Sequence, residues 1–164
     1  MSLTTLYVSG GEESSNPNRE GNRNSQKHRP GAPTAQTFNP LFKMRPDYRW
    51  FYGIAAKDPS SSRWFDSAIK VDAKAGTVVA SWSSPGIFLT EFDFLPRGNG
   101  TEAEDEDDGV LLTVLYNATS DTSLFGVFNA RELEPLGLYD MDAVVPFHAH
   151  GISCRQGEAC FTNP

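Results

Sequence analysis

With 164 residues and a formal charge of −7, the chain is long enough for one domain with a real core, and it has no excess of cations to neutralise phosphates. That argues against nucleic acid and against an anionic membrane surface as partners. Eleven Phe, five Tyr and three Trp, frequent Gly and Pro, and no long amphipathic helical period point to an all-β class.

The first residues, Met1 to Tyr7, show neither the charged nor the apolar region of a signal peptide. No apolar run approaches the roughly 18 residues of a transmembrane helix, so a cytoplasmic location is the default expectation. Leu3 to Ser9 is short and β-prone. From about Gly10 to Thr37 the chain is rich in Ser, Asn, Gly, Pro, Glu and Arg, with almost nothing apolar to offset the entropy of ordering. A largely disordered tail or loop is therefore expected over 1–37, and His28, between Lys27 and Arg29, is expected to be solvated.

Order is expected from Phe38. Tyr48 to Ala55 is aromatic and β-favouring, and Pro59-Ser60-Ser61-Ser62 closes it with a turn. Trp64 to Val71 and Thr77 to Trp82 read as two further strands, joined by a hairpin whose connection ends in Gly76. Ile87 to Leu95 reads as one continuous strand. Strict alternation along it sets Leu89, Glu91 and Asp93 on one face and Phe88, Thr90, Phe92 and Phe94 on the other, which turns Glu91 outward.

Six acids fall within the seven residues from Glu102 to Asp108. Such a run reads as a solvated loop extended by self-repulsion, and its spacing matches no calcium loop. Gly109 to Tyr116 and Ser123 to Asn129 form a strand pair joined at Asn117-Ala118-Thr119-Ser120-Asp121. Asn99-Gly100-Thr101 and Asn117-Ala118-Thr119 fit the glycosylation sequon but are more simply turn residues. A turn over Ala130 to Pro135 follows, and Gly137 to Val145 leads on towards the histidines. Successive hairpins at this spacing suit a meander or propeller blades.

The Gly137 to Val145 stretch runs into Pro146-Phe147-His148-Ala149-His150-Gly151. If this segment is extended, His148 and His150 lie on one face, a chelating arrangement that suits a transition metal such as iron or zinc. The alternative is a pair of solvated or hydrogen-bonded imidazoles. Cys154 and Cys160 follow with five residues between them, as a small disulfide loop, as free thiols, or as partners of the two histidines in a zinc site whose spacing is not that of a common finger.

Four of these segments, in order and at matching separations across roughly residues 38–152, resemble the C-terminal part of the carotenoid cleavage oxygenases, a family of non-haem iron proteins. Tyr48-Arg49-Trp50-Phe51-Tyr52-Gly53 is similar to that family's Tyr-Arg-aromatic-x-Tyr-Gly strand, and Asp66 to Asp72 is similar to its following strand and turn. Glu91-Phe92-Asp93-Phe94-Leu95-Pro96-Arg97 with Glu106-Asp107-Asp108-Gly109 is similar to its Glu-Pro-x-Phe-Val-Pro-Arg segment and Glu-Asp-Asp-Gly turn. Pro146 to Gly151 matches Pro-x-Gly-Phe-His-Gly. Phe92 stands where the family has Pro, His148 where it has Gly, and Ala149 where it has Phe.

The resemblance implies an all-β partial propeller, a few blades of a seven-bladed one, over 38–152, with a C-terminal tail over 153–164. It implies Fe(2+) as cofactor, His150 as one of four histidine ligands, and Glu91 as the carboxylate that orients a ligand histidine through its far ring nitrogen. It also implies a carotenoid or apocarotenoid substrate, split at an alkene double bond into two carbonyl products. The other three ligands have no counterpart here, so the chain reads as a C-terminal fragment, inactive alone and in need of the missing N-terminal part of the propeller. Rival readings are a non-catalytic β-rich interaction module and a small Cys/His zinc module.

Overall fold

The computed structural model describes residues 33–43, 45–62, 64–97 and 105–146. These residues build nine β-strands and one 3-10 turn over Pro40–Phe42. Thr34–Thr37 (β1), Trp50–Ala55 (β2), Ser67–Asp72 (β3) and Thr77–Trp82 (β4) form one antiparallel sheet in the order β1-β2-β3-β4. Ile87–Leu89 (β5), Asp93–Pro96 (β6), Gly109–Asn117 (β7), Thr122–Asn129 (β8) and Pro135–Asp140 (β9) form the second, in the order β5-β7-β8-β9, with β6 on the same edge of β7 as β5. Each sheet is thus four rows deep and is laid down in chain order from one edge to the other. That is the pattern expected of two consecutive propeller blades.

Local chemistry explains the turns. Asp72 accepts hydrogen bonds from the backbone N–H of Lys74 and Ala75, and Gly76 adopts φ +64°, which closes the β3–β4 hairpin. At the β7–β8 hairpin the Asn117 side chain accepts from the Thr119 N–H, and Asp121 takes the left-handed conformation that Asp tolerates. The β8–β9 turn repeats the device: Asn129 accepts from the Arg131 and Glu132 N–H groups, and Leu133 stands at φ 59°.

The two sheets pack face to face over one core. Tyr52, Ile54 and Ala68 from the first meet Leu89, Phe92, Phe94, Leu111, Leu115 and Phe128 from the second. Tyr52 lies against Phe94 with ring centroids 5.7 Å apart, and Trp82 meets Phe128 edge-on at 4.9 Å. Burial of each such side chain contributes roughly 1.5–3 kcal/mol relative to exposure, which makes this interface the main cohesive element.

Several expectations are revised. β1 lies upstream of Phe38, where order was expected to begin, and β3 starts at Ser67 rather than Trp64. The single strand expected over Ile87 to Leu95 is two short strands, because Leu89 opposes Leu115 while Asp93 opposes Leu112: four steps on one side face three on the other. The extra residue is a β-bulge, and it reverses the alternation. Leu89 therefore points into the core together with Phe92 and Phe94, not with Asp93 on the opposite face.

The acidic run also departs from expectation. Its described residues, Asp105 to Asp108, are not a self-repelling loop but a set of paired carboxylates between the sheets, described below.

Candidate functional site

Glu91 sits in the bulge between β5 and β6 and is half-buried. Its neighbour Thr90 is held against β7 twice, by its own N–H to the Val114 carbonyl at 3.3 Å and by its hydroxyl to the same oxygen at 2.7 Å. On the other side Phe92 is fixed in the core by an edge-on contact with Phe128 at 5.7 Å. A bulge clamped at both ends re-aims the residue it contains, a recurrent arrangement beside functional sites. The carboxylate expected to matter is therefore borne by backbone that is both irregular and rigidly anchored.

The chain leading to the histidines is anchored at one residue that sequence reasoning did not single out. Ser123, at the start of β8 and 1% exposed, takes part in four contacts with the segment after β9. Its N–H donates to the Ala143 carbonyl and its carbonyl accepts from the Met141 N–H, both at 2.9 Å. Its hydroxyl accepts from the Val145 N–H at 2.9 Å and donates to the Val145 carbonyl at 3.4 Å. Ser123 opposes Tyr116 on β7, and Tyr116 opposes Phe88 on β5, so the three share one row across the sheet. Leu124 packs on the core, so Ser123 points to the outer face of the sheet.

His28, His148, His150, Cys154 and Cys160 lie outside the described residues, as does the Asn99 sequon. Among the described residues, no three His, Cys, Asp or Glu side chains come together as a metal-binding group. The described part of the site is thus the Glu91 bulge and the Ser123 anchor.

A second polar centre joins the two sheets. Lys70, buried on β3, donates to Asp107 Oδ2 at 2.7 Å and to the Arg131 carbonyl at 2.8 Å, and its ammonium lies 4.5 Å from the centre of the Trp50 ring. Glu106 accepts from the backbone N–H groups of Arg49 and Trp50 at 2.7–2.8 Å, and its own carbonyl accepts from Asn39 Nδ2. Asp108 pairs with Arg97, and Asp105 with Arg131, each at 2.7 Å. The Tyr52 hydroxyl behind this centre is pushed up from its ordinary range, first by burial and then by the negative charges of Asp107 and Glu106, so it stays protonated. In the sequence, only the resemblance of Glu106-Asp107-Asp108-Gly109 to the family's Glu-Asp-Asp-Gly turn pointed to a built turn here.

The match to known proteins runs through the same residues. Residues 11–152 match the family of the retinal pigment epithelial membrane protein. A carotenoid dioxygenase of Neurospora crassa is 27% identical over 129 residues, 78% of this chain and 20% of the relative. A mitochondrial carotenoid-cleaving dioxygenase of Macaca fascicularis is 32% identical over 63% of the chain and 17% of the relative. The chain therefore spans about a fifth of the length of the curated relatives it matches. Cobalt-substituted Synechocystis ACO superposes with a TM-score of 0.67 at 26% identity, covering 76% of this chain and 26% of that one. The two sheets are accordingly blades of a partial propeller, and the chain belongs to the retinal pigment epithelial membrane protein family, the carotenoid cleavage oxygenases.

Proposed function

We propose that this chain is the C-terminal portion of a non-haem Fe(II) dioxygenase that cleaves carotenoids or apocarotenoids, with His150 as an iron ligand and Glu91 as the carboxylate that orients a ligand histidine. The bound metal would supply oxygen chemistry at an alkene, and the residues of this chain would hold one ligand, fix its tautomer and exclude water. Inactivity of the isolated chain follows from the same reading, because one imidazole holds a transition metal poorly against water.

The observation that carries the reading is reach. Val145 is fixed to β8 at Ser123, in the row that continues through Tyr116 to Phe88. Two strand spacings separate β8 from the β5 edge, and three residues separate Phe88 from Glu91, which together place the carboxylate about 14 Å from the anchor. A five-residue path, were it extended, would cover roughly 16 Å, a length compatible with the proposed contact between the His150 imidazole and the Glu91 carboxylate.

The outer face of the second sheet supports the need for the rest of a propeller. β7 alternates buried Leu111, Thr113 and Leu115 with half-buried Val110, Leu112, Val114 and Tyr116, so it is apolar on both faces. Phe125 and Tyr139 extend that outer surface, 37% and 60% exposed. Strands apolar on both faces belong to sheets covered on both sides.

A graft tests the function. The C-terminal part of the Synechocystis apocarotenoid oxygenase is replaced by residues 33–164 of this chain, and iron is measured in the folded product with and without His150→Ala. Iron near one per molecule, lost on His150→Ala, is expected. Equal iron in both, or a folded graft without iron, would leave the non-catalytic interaction module as the better reading.

A further inference from the structure

We propose that the open edge of β9 takes a further β-strand from a partner protein: an extended segment that is apolar in its middle and carries Lys or Arg at both ends. The proposal is independent of the metal reading, since it uses neither Glu91 nor His150.

Backbone groups on that edge are set for a ladder. The Met141 N–H donates to the Ser123 carbonyl, so antiparallel alternation turns the polar groups of Tyr139 and Gly137 towards β8 and points the N–H and C=O of Leu138 and Asp140 away from the sheet. β9 ends the strand order, and among the described residues no strand pairs with this side of it. Propeller blades pack face to face, so further blades cover the outer face of the sheet and still leave this edge open.

Side chains define what fits beside it. Leu138 opposes Gly126, whose missing Cβ would meet Leu115 and Phe128, so Leu138 lies along the rim of the core, while Tyr139 lies beside Phe125 on the outer face. Both are exposed, as are Leu136, Met141 and Val144, which makes this stretch the densest run of exposed large apolar side chains among the described residues. An added strand thus meets apolar surface on both of its faces. Its ends meet charge. Glu132 and Glu134 precede the first turn of β9, Asp140 and Asp142 stand at its other end, and from Glu132 to Pro146 the chain has no Lys or Arg. Arg131, just before this stretch, is engaged by Asp105 and Asp107.

The same acids decide against a second copy of the chain. Two β9 strands paired through Leu138 about a two-fold axis set Asp142 of each opposite Glu134 of the other, and like charges opposed across a ladder are destabilising. Self-pairing at this edge is therefore weak and yields to a strand with cationic ends.

The test uses the full chain below micromolar concentration and two short synthetic peptides with the same β-branched middle, one ending in lysine on both sides and one in glutamate. The lysine-ended peptide is expected to slow hydrogen exchange at the Leu138 and Asp140 amides severalfold and to leave the β4 amides unchanged. At low salt it should bind about tenfold more tightly than the glutamate-ended peptide, with the gap narrowing as salt rises. Glu132→Lys with Glu134→Lys should abolish that preference. Leu138→Pro removes an N–H that bonds nothing within the sheet, so it should block binding with little change in melting temperature. Should that variant lose the edge, a lysine-ended peptide N-methylated along its backbone removes the same ladder from the partner's side and is expected not to bind. Equal affinity for the two peptides, retained binding after N-methylation, or protection at β4 and not at β9 overturns the proposal. So does protection of Leu138 and Asp140 that grows with the concentration of the chain alone and resists the lysine-ended peptide, which would make a second copy the occupant.

Discussion

The Lys70 ammonium and the Asp107 carboxylate meet at 2.7 Å across the boundary between the two sheets, their side chains only 4% and 14% exposed. Removing one partner of such a pair leaves a charge in a poorly solvated place. Lys70→Ala is expected to cost about 3 kcal/mol, and Asp107→Ala a comparable amount, because the Arg131 carbonyl and the Trp50 ring do not replace a counter-ion. The double variant should cost clearly less than the two single costs combined, with a coupling of about 1–3 kcal/mol. Denaturant unfolding of the four proteins measures this cycle, and strict additivity would show that the pair carries no coupling.

The acidic loop gives a test of sign. Were Asp105 to Asp108 a solvated run under self-repulsion, neutralising any of them would stabilise the fold. With Glu106 accepting from the Arg49 and Trp50 N–H groups, Glu106→Ala is expected to destabilise by about 1–3 kcal/mol, since two backbone donors lose their acceptor. A rise in melting temperature for Glu106→Ala would restore the solvated-loop picture. The sequence displays the charges, but their partners Arg97, Arg131, Lys70 and Arg49 stand 11 to 57 residues away along the chain, and no local pattern announces them. What was legible there was the Glu-Asp-Asp-Gly turn itself, through resemblance and not through charge.

Acid should act early at Asp72. The hydrogen bond from Arg49 holds this carboxyl below the ordinary aspartate range against the opposing effect of burial, with further help from the Ala75 and Lys74 N–H groups. A carboxyl whose value is lowered by folding contributes stability that is full above the unfolded value, near pH 4, and that fades as pH falls towards the folded value. Wild type should therefore lose stability more steeply than Asp72→Asn, which keeps the hairpin cap but not the charge, as pH falls below about 4. Parallel slopes for the two proteins, from thermal melts across that range, would show that Asp72 makes no contribution to acid sensitivity.

The bulge separates what periodicity reveals from what it hides. Element type and order came through well, since β2, β4, β7 and β8 fall close to the runs expected from Tyr48, Thr77, Gly109 and Ser123 onward. The phase of Ile87 to Leu95 did not, because alternation assumes one residue opposite one, and a single inserted residue exchanges the faces beyond it. Leu89→Ala is thus expected to cost about 2–5 kcal/mol, as for a fully buried leucine, whereas Phe88→Ala, on the half-exposed face against Tyr116, should cost markedly less than a core phenylalanine. Equal costs in denaturant unfolding would return Leu89 to the outward face. Glu91 itself was legible only through the resemblance, and Ser123 was not legible at all, for a lone serine at a strand start carries no signal of the contact it makes with Val145.

The outer face of the second sheet predicts behaviour in solution. Val110, Leu112, Val114 and Tyr116 line its middle and Phe125 and Tyr139 its open side. Among the described residues β9 presents an unpaired edge, which carries Leu136 and Leu138 at 60% and 39% exposure and has no lysine of its own to blunt it. Apolar surface and a free edge side by side favour association of like with like. The isolated chain is expected to sediment as oligomers or aggregates at micromolar concentration, and Phe125→Lys with Tyr139→Lys should shift it towards monomer while changing stability by less than about 1 kcal/mol. A monodisperse wild-type monomer with a cooperative melt would mean that this face tolerates water, and the need for further blades would then lose its physical basis.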